Sequence, residues 1–258
     1  MKTRLDVELA KRGIAPSRSQ AESYVRLGQV TVNGKPAVKP GQLVSDQDAI
    51  AVKAGKQYVG RAALKLQSAD EAFHIDWRGK TVLDVGSSTG GFTQYALLHG
   101  AAQVIAVDVG TDQLHPSLRG DHRIVLHEKT DIRDVWPRQE ESRDNGQELR
   151  QNAVFIDAQI DIVVSDVSFI SLREILPHIS RLLTHDSVVL AMVKPQFEAR
   201  QSSVKHKGVI KNDRIRRDIL KDFENWVQKL YKIIDKKDSD IAGGRGNVER
   251  FYMLKKLH

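Results

Sequence analysis

Four charged residues lie at or near the ends of apolar runs in this 258-residue chain. Asp84 sits in Thr81-Val82-Leu83-Asp84-Val85, Asp108 follows Val104–Val107, Asp166 follows Ile160–Ser165, and Lys194 follows Ser187–Val193. Carboxylates there can accept hydrogen bonds from ribose hydroxyls or an ammonium group, and a lysine can hold or remove a proton. Between the first two acids lies Gly86-Ser87-Ser88-Thr89-Gly90-Gly91-Phe92. Its glycines allow a sharp turn and close approach of a ligand. The helix expected from about Phe92 to His99 would aim free N–H groups at that turn, and Gly100 suits its stop.

Asp108 lies 24 residues after Asp84. An acid at the end of the second strand of a βαβ nucleotide fold hydrogen-bonds ribose. The spacing Gly86-x-x-x-Gly90-Gly91 is not the G-x-G-x-x-G of dinucleotide enzymes, so no pyrophosphate needs cradling. A nucleoside with an amino-acid tail fits better, and S-adenosylmethionine is the obvious candidate. Asp131, after a third strand at Arg123–His127, could reach an adenine amino group or could simply form a turn.

Alternating strands and helices must position these groups. The reading is α/β, with a doubly wound, Rossmann-like sheet of seven mostly parallel strands. In such sheets ligands sit beyond the carboxyl ends of the strands, so Asp84, Asp108, Asp166 and Lys194 should share one rim. Helices are expected from Arg61 to about Phe73, from about Ser171 to Leu183, and from Arg214 to Tyr231. A sixth strand starts at Ile233-Ile234, and a last one runs Val248–Leu254. Lys65, between two leucines, reads on its own as a lysine that snorkels to the surface. Segments 138–152 and 199–212 read as mobile loops, and His206 in the second as solvated or facing RNA.

A formal net charge of +7 invites a polyanion. Residues 1–58 carry ten Lys/Arg and five acids, net +5, which leaves +2 for the other 200 residues. The absence of cysteine excludes disulfides and thiolate metal sites. No apolar run approaches membrane-spanning length, so a soluble, cytoplasmic protein with no membrane partner is expected. No metal is required by the chemistry proposed here.

Residues 1–53 read as a small α+β module. Leu5, Leu9 and Ile14 form one stripe; Ala21, Tyr24, Val25 and Leu27 form a second helix. Val30–Val32 is a strand, Asn33-Gly34 a tight turn, and Ala37-Val38 the start of the return. Residues 54–60 read as a linker and 61–258 as the catalytic domain.

The order Arg-Leu-Asp, Ser-Arg-Ser-Gln-Ala, Leu-Gly-Gln-Val-Thr-Val-Asn-Gly-Lys over about fifty residues resembles the S4 RNA-binding domain. That resemblance implies an RNA face made by Arg4, Arg18, Arg26 and Lys35, to which Arg61 is added. Asp84–Thr93 and Val193-Lys194-Pro195-Gln196-Phe197-Glu198 look like an FtsJ-type methyltransferase. With Tyr58–Leu66, Asp166–Leu172 and Gly246–Glu249, the whole chain resembles the TlyA (hemolysin A) family of ribosomal RNA 2′-O-methyltransferases.

The resemblance implies S-adenosylmethionine as cofactor and ribosomal RNA or ribosomal subunits as partners. It also implies a Lys–Asp–Lys–Glu tetrad at Lys65, Asp166, Lys194 and Glu249. This lifts Lys65 above its snorkelling reading and selects Glu249 over the neighbouring candidate Glu198. Gly60, Ala62 and Arg250 depart from the usual family pattern. The implied chemistry makes Lys194 the base, with Lys65 as second cation, Asp166 orienting Lys194, and Glu249 positioning Lys65 or the ribose. The residues expected around the cofactor are Asp84, Gly86, Ser87, Ser88, Thr89, Gly90, Gly91, Phe92, Asp108, Asp131 and Asp166. A non-catalytic RNA-binding or ribosome-assembly factor is the alternative; a membrane-active hemolysin has no supporting helix.

Overall fold

The buried apolar runs assemble into one seven-stranded sheet. The computed structural model describes residues 2–15, 18–26, 28–52, 58–138, 153–199, 208–241, 243 and 246–257. Readings made for 54–57, 139–152, 200–207 and 244–245, including His206, therefore lie outside the described residues. The chain divides into two units, Met1–Ala63 and Leu64–His258.

In the first unit β1 (Thr3–Arg4) leads into α1 (Leu5–Lys11), followed by α2 (Arg18–Arg26). Then come β2 (Val30–Val32), β3 (Lys35–Pro36), β4 (Leu43–Val44) and β5 (Ile50–Val52). β2 lies between β3 and β5, both antiparallel to it, and β1 pairs with β4. Asn33 and Gly34 both adopt positive φ, 51° and 77°, as a two-residue turn of this hand requires. That turn sets Val32 opposite Lys35, so the return strand starts at Lys35, not at Ala37-Val38. Ile14 falls beyond α1, which stops at Lys11, and packs against the core of Leu5, Leu9, Tyr24, Val25 and Val30. The β1–β4 pair is two residues long, too short for alternation to betray it. Tyr58 and Val59, read as linker, are buried.

The second unit begins within α3 (Ala62–Phe73). It continues through β6 (Thr81–Val85), α4 (Gly91–Leu98), β7 (Gln103–Val107) and β8 (Ile124–His127). A short parallel pair follows, β9 (Val135–Pro137) and β10 (Val154–Ile156). Next are β11 (Ile160–Ser165), α5 (Leu172–Ile179), β12 (Leu183–Val193) and α6 (Pro195–Glu198). The unit closes with α7 (Asp213–Val227), β13 (Tyr231–Asp238) and β14 (Arg250–Lys256).

Strand order is β13-β14-β12-β11-β6-β7-β8, and only β14 runs against the others. The chain winds outward from β6 in one direction and from β11 in the other. The β6/β11 junction is thus the switch point, where such sheets open a crevice. The α5 helix ends at Ile179 rather than Leu183, because Ser180–Leu182 tightens into a 3₁₀ turn before β12. Helix starts follow their caps: Ser171 Oγ accepts from Arg173 N, and Asn212 Oδ1 from Arg214 N and Ile215 N. α7 lays Ile219, Leu220, Phe223 and Val227 on the sheet, each burial contributing roughly 2 kcal/mol.

Candidate active site

The carboxyl ends of β6, β7 and β11 open onto a cavity of about 270 Å³. Its walls include Gly86 and Ser88 after β6, Asp108 after β7, Thr130–Ile132 after β8, and Asp166–Ile170 after β11. Apolar Val85, Val107 and Ile175 form much of the rest. Of the residues expected around a cofactor, Gly86, Ser88, Asp108, Asp131 and Asp166 line it. Ser87, Gly90, Gly91 and Phe92 are buried and not among its walls, and Thr89 is exposed. Gly90 was expected to let a ligand approach. Instead, a Cβ there would sit 2.6 Å from both Leu114 and Leu118, so its space is taken by packing.

The three acids at this end differ in environment. Asp108 is clamped: Oδ2 accepts from Ser88 N (2.8 Å) and Oδ1 from Gly110 N (2.7 Å). Asp131 caps the Ile132–Asp134 turn and holds Arg133 through both oxygens, at 2.9 and 2.6 Å. It forms the turn and also faces the cavity. Asp84 is fully buried, has no cation beside it among the described residues, and accepts a 2.6 Å bond from Thr93 Oγ1. Burial pushes its carboxyl up to about 7. Its Oδ1 accepts no hydrogen bond.

Beside the cavity four charged side chains form a continuous line. Glu249 Oε2 pairs with Lys65 Nζ at 2.6 Å. Lys65 Nζ lies 3.9 Å from Asp166 Oδ2, and Lys194 Nζ lies 2.6 Å from Asp166 Oδ1. Two ammonium groups therefore share the two oxygens of one carboxylate. Side-chain exposures are 4, 12, 16 and 8% for Glu249, Lys65, Asp166 and Lys194. Lys65 is no snorkelling surface lysine, because its stem passes inward from α3 to a buried partner. Register explains how Glu249 arrives. β14 is antiparallel to β12 with Arg250 opposite Val193, so the residue before β14 and the residue after β12 come to one rim. Glu249 lies against Gly243, where a Cβ would come within 2.6 Å of Oε1.

Glu198, the alternative candidate, faces elsewhere. It is buried, accepts from Ser171 Oγ (2.6 Å) and Leu172 N (2.8 Å), and ties α6 to the start of α5. The residues not singled out from the sequence are Ser168 and Phe169. Lys194 Nζ donates to Ser168 Oγ at 2.6 Å, and the exposed Phe169 ring lies 5.4 Å from Phe197. The signal available was their position, two and three residues beyond Asp166.

The FtsJ-like methyltransferase family model matches residues 58–256. The chain belongs to that family. An S4 domain model matches residues 3–50. The 16S/23S rRNA (cytidine-2′-O)-methyltransferase TlyA of Mycobacterium tuberculosis is 38% identical over 257 residues, 98% of this chain and 90% of that protein. Hemolysin A of Brachyspira hyodysenteriae is 36% identical over 95% of this chain and 97% of its own. A solved structure of a candidate hemolysin from Streptococcus thermophilus superposes with a TM-score of 0.70 at 34% identity, covering 99% of this chain and 89% of the other. No helix among the described residues is long and apolar enough to cross a membrane.

The S4 unit of this family member holds most of the basic residues singled out for RNA. Arg4 and Arg18 converge on Asp6, whose side chain is 0% exposed while theirs are 48 and 61%. Arg4 reaches both Asp6 oxygens, at 3.0 and 2.9 Å, and Arg18 Nε reaches Oδ2 at 3.1 Å. The Arg4 hydrogen bonds hold the Asp6 carboxyl down at about 2. Arg26 pairs with Glu22 one turn away on α2. Lys35 is exposed in β3, and Arg61 is partly exposed before α3. A shallow depression is walled by Arg4, Arg26 and Lys39 with Pro40 and Gly41. Lys39 was not singled out from the sequence.

Proposed function

We propose that this protein transfers a methyl group from S-adenosylmethionine to a ribose 2′-oxygen of ribosomal RNA, on a cytidine. The observation that carries the reading is the line Glu249–Lys65–Asp166–Lys194 beside a cavity walled by strand-end acids. The cavity fits the cofactor on its own chemistry. Asp108 is held rigid where it can accept from ribose hydroxyls, and Asp131 faces the same space for an adenine amino group. Apolar Val107, Ile132 and Ile170 can sandwich a base. The buried, unbonded Oδ1 of Asp84 is an orphaned acceptor close to the glycine turn, which a donor from the amino-acid tail, or a water it holds, would complete.

When bound, the sulfonium supplies an already activated methyl group. The protein's task is to align the 2′-oxygen and manage its proton. Lys194 is the group we assign to that proton. Its Nζ is set by Asp166 and shielded from water, so its interaction with a developing alkoxide would be strong. Asp166 fixes Lys194 and shares its second oxygen with Lys65, and Glu249 holds Lys65 in turn. Lys65 keeps a second positive charge on the same rim. The names of the relatives support RNA as substrate, and the S4 unit offers Arg4, Arg18, Arg26 and Lys35, with Arg61 beyond it, for phosphate contacts, which give affinity without sequence information.

The test is mass mapping of ribose methylation on ribosomal RNA with and without the protein, repeated with Lys194→Ala. Wild type should add a 2′-O-methyl that is absent without it. The variant should bind RNA but transfer methyl at least ~10³-fold more slowly, the scale of a lost proton-transfer group. RNA binding by wild type with no ribose methylation on any subunit would leave only a binding role.

A further inference from the structure

Lys194 is the residue assigned to the 2′-proton, yet its Nζ already has three oxygens around it, two hydrogen-bonded and one an ion-pair partner. Nζ lies 2.6 Å from Asp166 Oδ1, 3.3 Å from the Asp166 carbonyl oxygen, and 2.6 Å from Ser168 Oγ. An ammonium has three donors and no acceptor. A lysine acting as base must become a neutral amine, with two N–H bonds and one lone pair. Among the three partners, only one that can donate meets that lone pair favourably. Carboxylate and carbonyl oxygens only accept, so neither can face it without repulsion. The Ser168 hydroxyl can turn from acceptor to donor. With the lone pair turned to Ser168, the two remaining N–H bonds can still face the Asp166 oxygens, so of the three contacts only the one to Ser168 reverses its direction.

Access points to the same residue. Lys194 is 7% exposed and is not among the cavity walls. Ser168 is exposed and lines the cavity. A ribose hydroxyl entering that space reaches Ser168 Oγ before it reaches Lys194 Nζ. The backbone beside Ser168 is also unusual. Phe169 has φ 70°, a left-handed conformation that is an outlier for so bulky a side chain. Strain of this kind persists where the surroundings over-determine it, and it clusters at functional sites. Here it lies one residue from the Ser168 contact to Lys194.

We infer that Ser168 is a catalytic residue that relays the ribose proton to Lys194. The inference rests on the methyltransferase reading above. In the reacting arrangement the 2′-hydroxyl donates to Ser168 Oγ, and Ser168 O–H donates to the neutral Lys194 Nζ. As the 2′-oxygen forms its bond to the methyl carbon, the carbon–sulfur bond breaks and its electron pair stays on sulfur. The 2′-proton passes to Ser168 Oγ while the Ser168 proton passes to Nζ. The sulfonium becomes a neutral thioether, and Lys194 becomes an ammonium whose charge Asp166 accepts. Ser168 ends as it began, and proton loss from Lys194 to solvent resets the site.

Single-turnover methylation of ribosomal subunits by wild type, Ser168→Ala and Ser168→Thr tests this. Ser168→Ala should slow the step ~10²-fold or more, a typical contribution for a proton-transfer group, while Ser168→Thr, which keeps the hydroxyl, stays within ~10-fold of wild type. The wild-type rate in mixed H₂O/D₂O should bow downward, as two protons in flight require, and Ser168→Ala should give a straight line. A third readout needs no turnover. Replacing the target 2′-hydroxyl by hydrogen should weaken RNA binding to wild type and leave binding to Ser168→Ala unchanged. Because Ser168 is exposed, the variant should fold, and unchanged S-adenosylmethionine affinity by calorimetry checks this. Ser168→Ala at wild-type rate with a linear wild-type solvent profile overturns the relay and leaves the enzyme reading intact. Absence of methyl transfer by wild type itself overturns the reading beneath it.

Discussion

One carboxylate between two cations recurs in both units of this protein, and one example from each is instructive. In the S4 unit Asp6 receives Arg4 and Arg18; in the methyltransferase unit Asp166 receives Lys65 and Lys194. The difference lies in what is hidden. Asp6 is buried but its arginines are half in water, so the carboxylate serves as an anchor that presents two guanidinium groups outward. At Asp166 all three partners are 16% exposed or less, and Glu249 closes the far end. Charges out of water act on one another and on a substrate far more strongly. Guanidinium forks suit phosphate presentation because they stay charged and bind in two places. Lysines suit the buried site because an ammonium can give up its proton. One carboxylate with two cations is thus a display device in one unit and a reaction device in the other.

The largest expected effect comes from making the same exchange at both places. Asp166→Asn removes the charge that fixes Lys194 and should slow methyl transfer by ~10³-fold at saturating RNA. RNA affinity should change little. Asp6→Asn should do the reverse, with turnover at saturating RNA near wild type and RNA binding weakened by ~3- to 10-fold as Arg4 and Arg18 lose their fixed aim. It should also cost about 1–2 kcal/mol of stability from disturbed hydrogen bonds to Arg4, Arg18 and Val7 N. Equal effects of the two exchanges on turnover and on binding would erase the distinction between display and reaction.

Asp84 sharpens the contrast, being a buried carboxylate with no cation beside it among the described residues. Hydrogen bonds from Arg4 hold Asp6 down at about 2, whereas burial pushes Asp84 up to about 7, from an ordinary value of 3.8. A carboxyl with a raised folded value stabilises the fold fully below its unfolded value and loses that contribution as pH rises. The window runs from 3.8 to about 7. Within it, stability should fall by about 1.4 kcal/mol per pH unit from this group, totalling a few kcal/mol. Asp84→Asn cannot ionise, so its unfolding free energy should lack that slope and exceed wild type at pH 8. Urea melts from pH 4 to 8 measure it, and parallel slopes for the two proteins would show that Asp84 stays ionised. An ammonium brought by the cofactor would favour the ionised form, so S-adenosylmethionine affinity should rise toward pH 7 in wild type and stay flat in the variant.

Much of the site was legible because strand ends announce themselves. Asp108, Asp166 and Lys194 each close an apolar run and Asp84 lies one residue before the end of its own, and parallel strands bring such ends to one side. Glu249 escaped that rule for a topological reason. β14 runs backward, so the residue that reaches the rim precedes the strand instead of following it. Only the resemblance selected it over Glu198, whose sequence position beside Lys194 looked better and whose side chain caps α5. Lys65 lies on a helix, and no local pattern distinguishes a lysine that turns inward from one that snorkels. Within the glycine turn the residue types were informative but not their individual roles, since Gly90 has φ 86° and the space a Cβ would take there is filled by Leu114 and Leu118. The short pairs β1–β4 and β9–β10 carry two or three residues per strand, below the length at which period two can be seen.

The smallest effect concerns the display side alone. Lys35 is exposed in a two-residue strand and, among the described residues, has no anchoring carboxylate, unlike Arg4 and Arg18. Its contribution to RNA binding should be that of one loose phosphate contact. Lys35→Ala should weaken binding only ~2- to 5-fold near physiological salt, with the slope of log affinity against log salt reduced by about one unit. Arg18→Ala should reduce the slope by the same unit but cost more affinity, because Asp6 has already restricted the arginine and less ordering remains to oppose binding. Titrations at four salt concentrations separate the two quantities. Equal affinity losses for Lys35→Ala and Arg18→Ala would mean that the buried carboxylate adds nothing to presentation, and that charge count alone sets how this unit holds RNA.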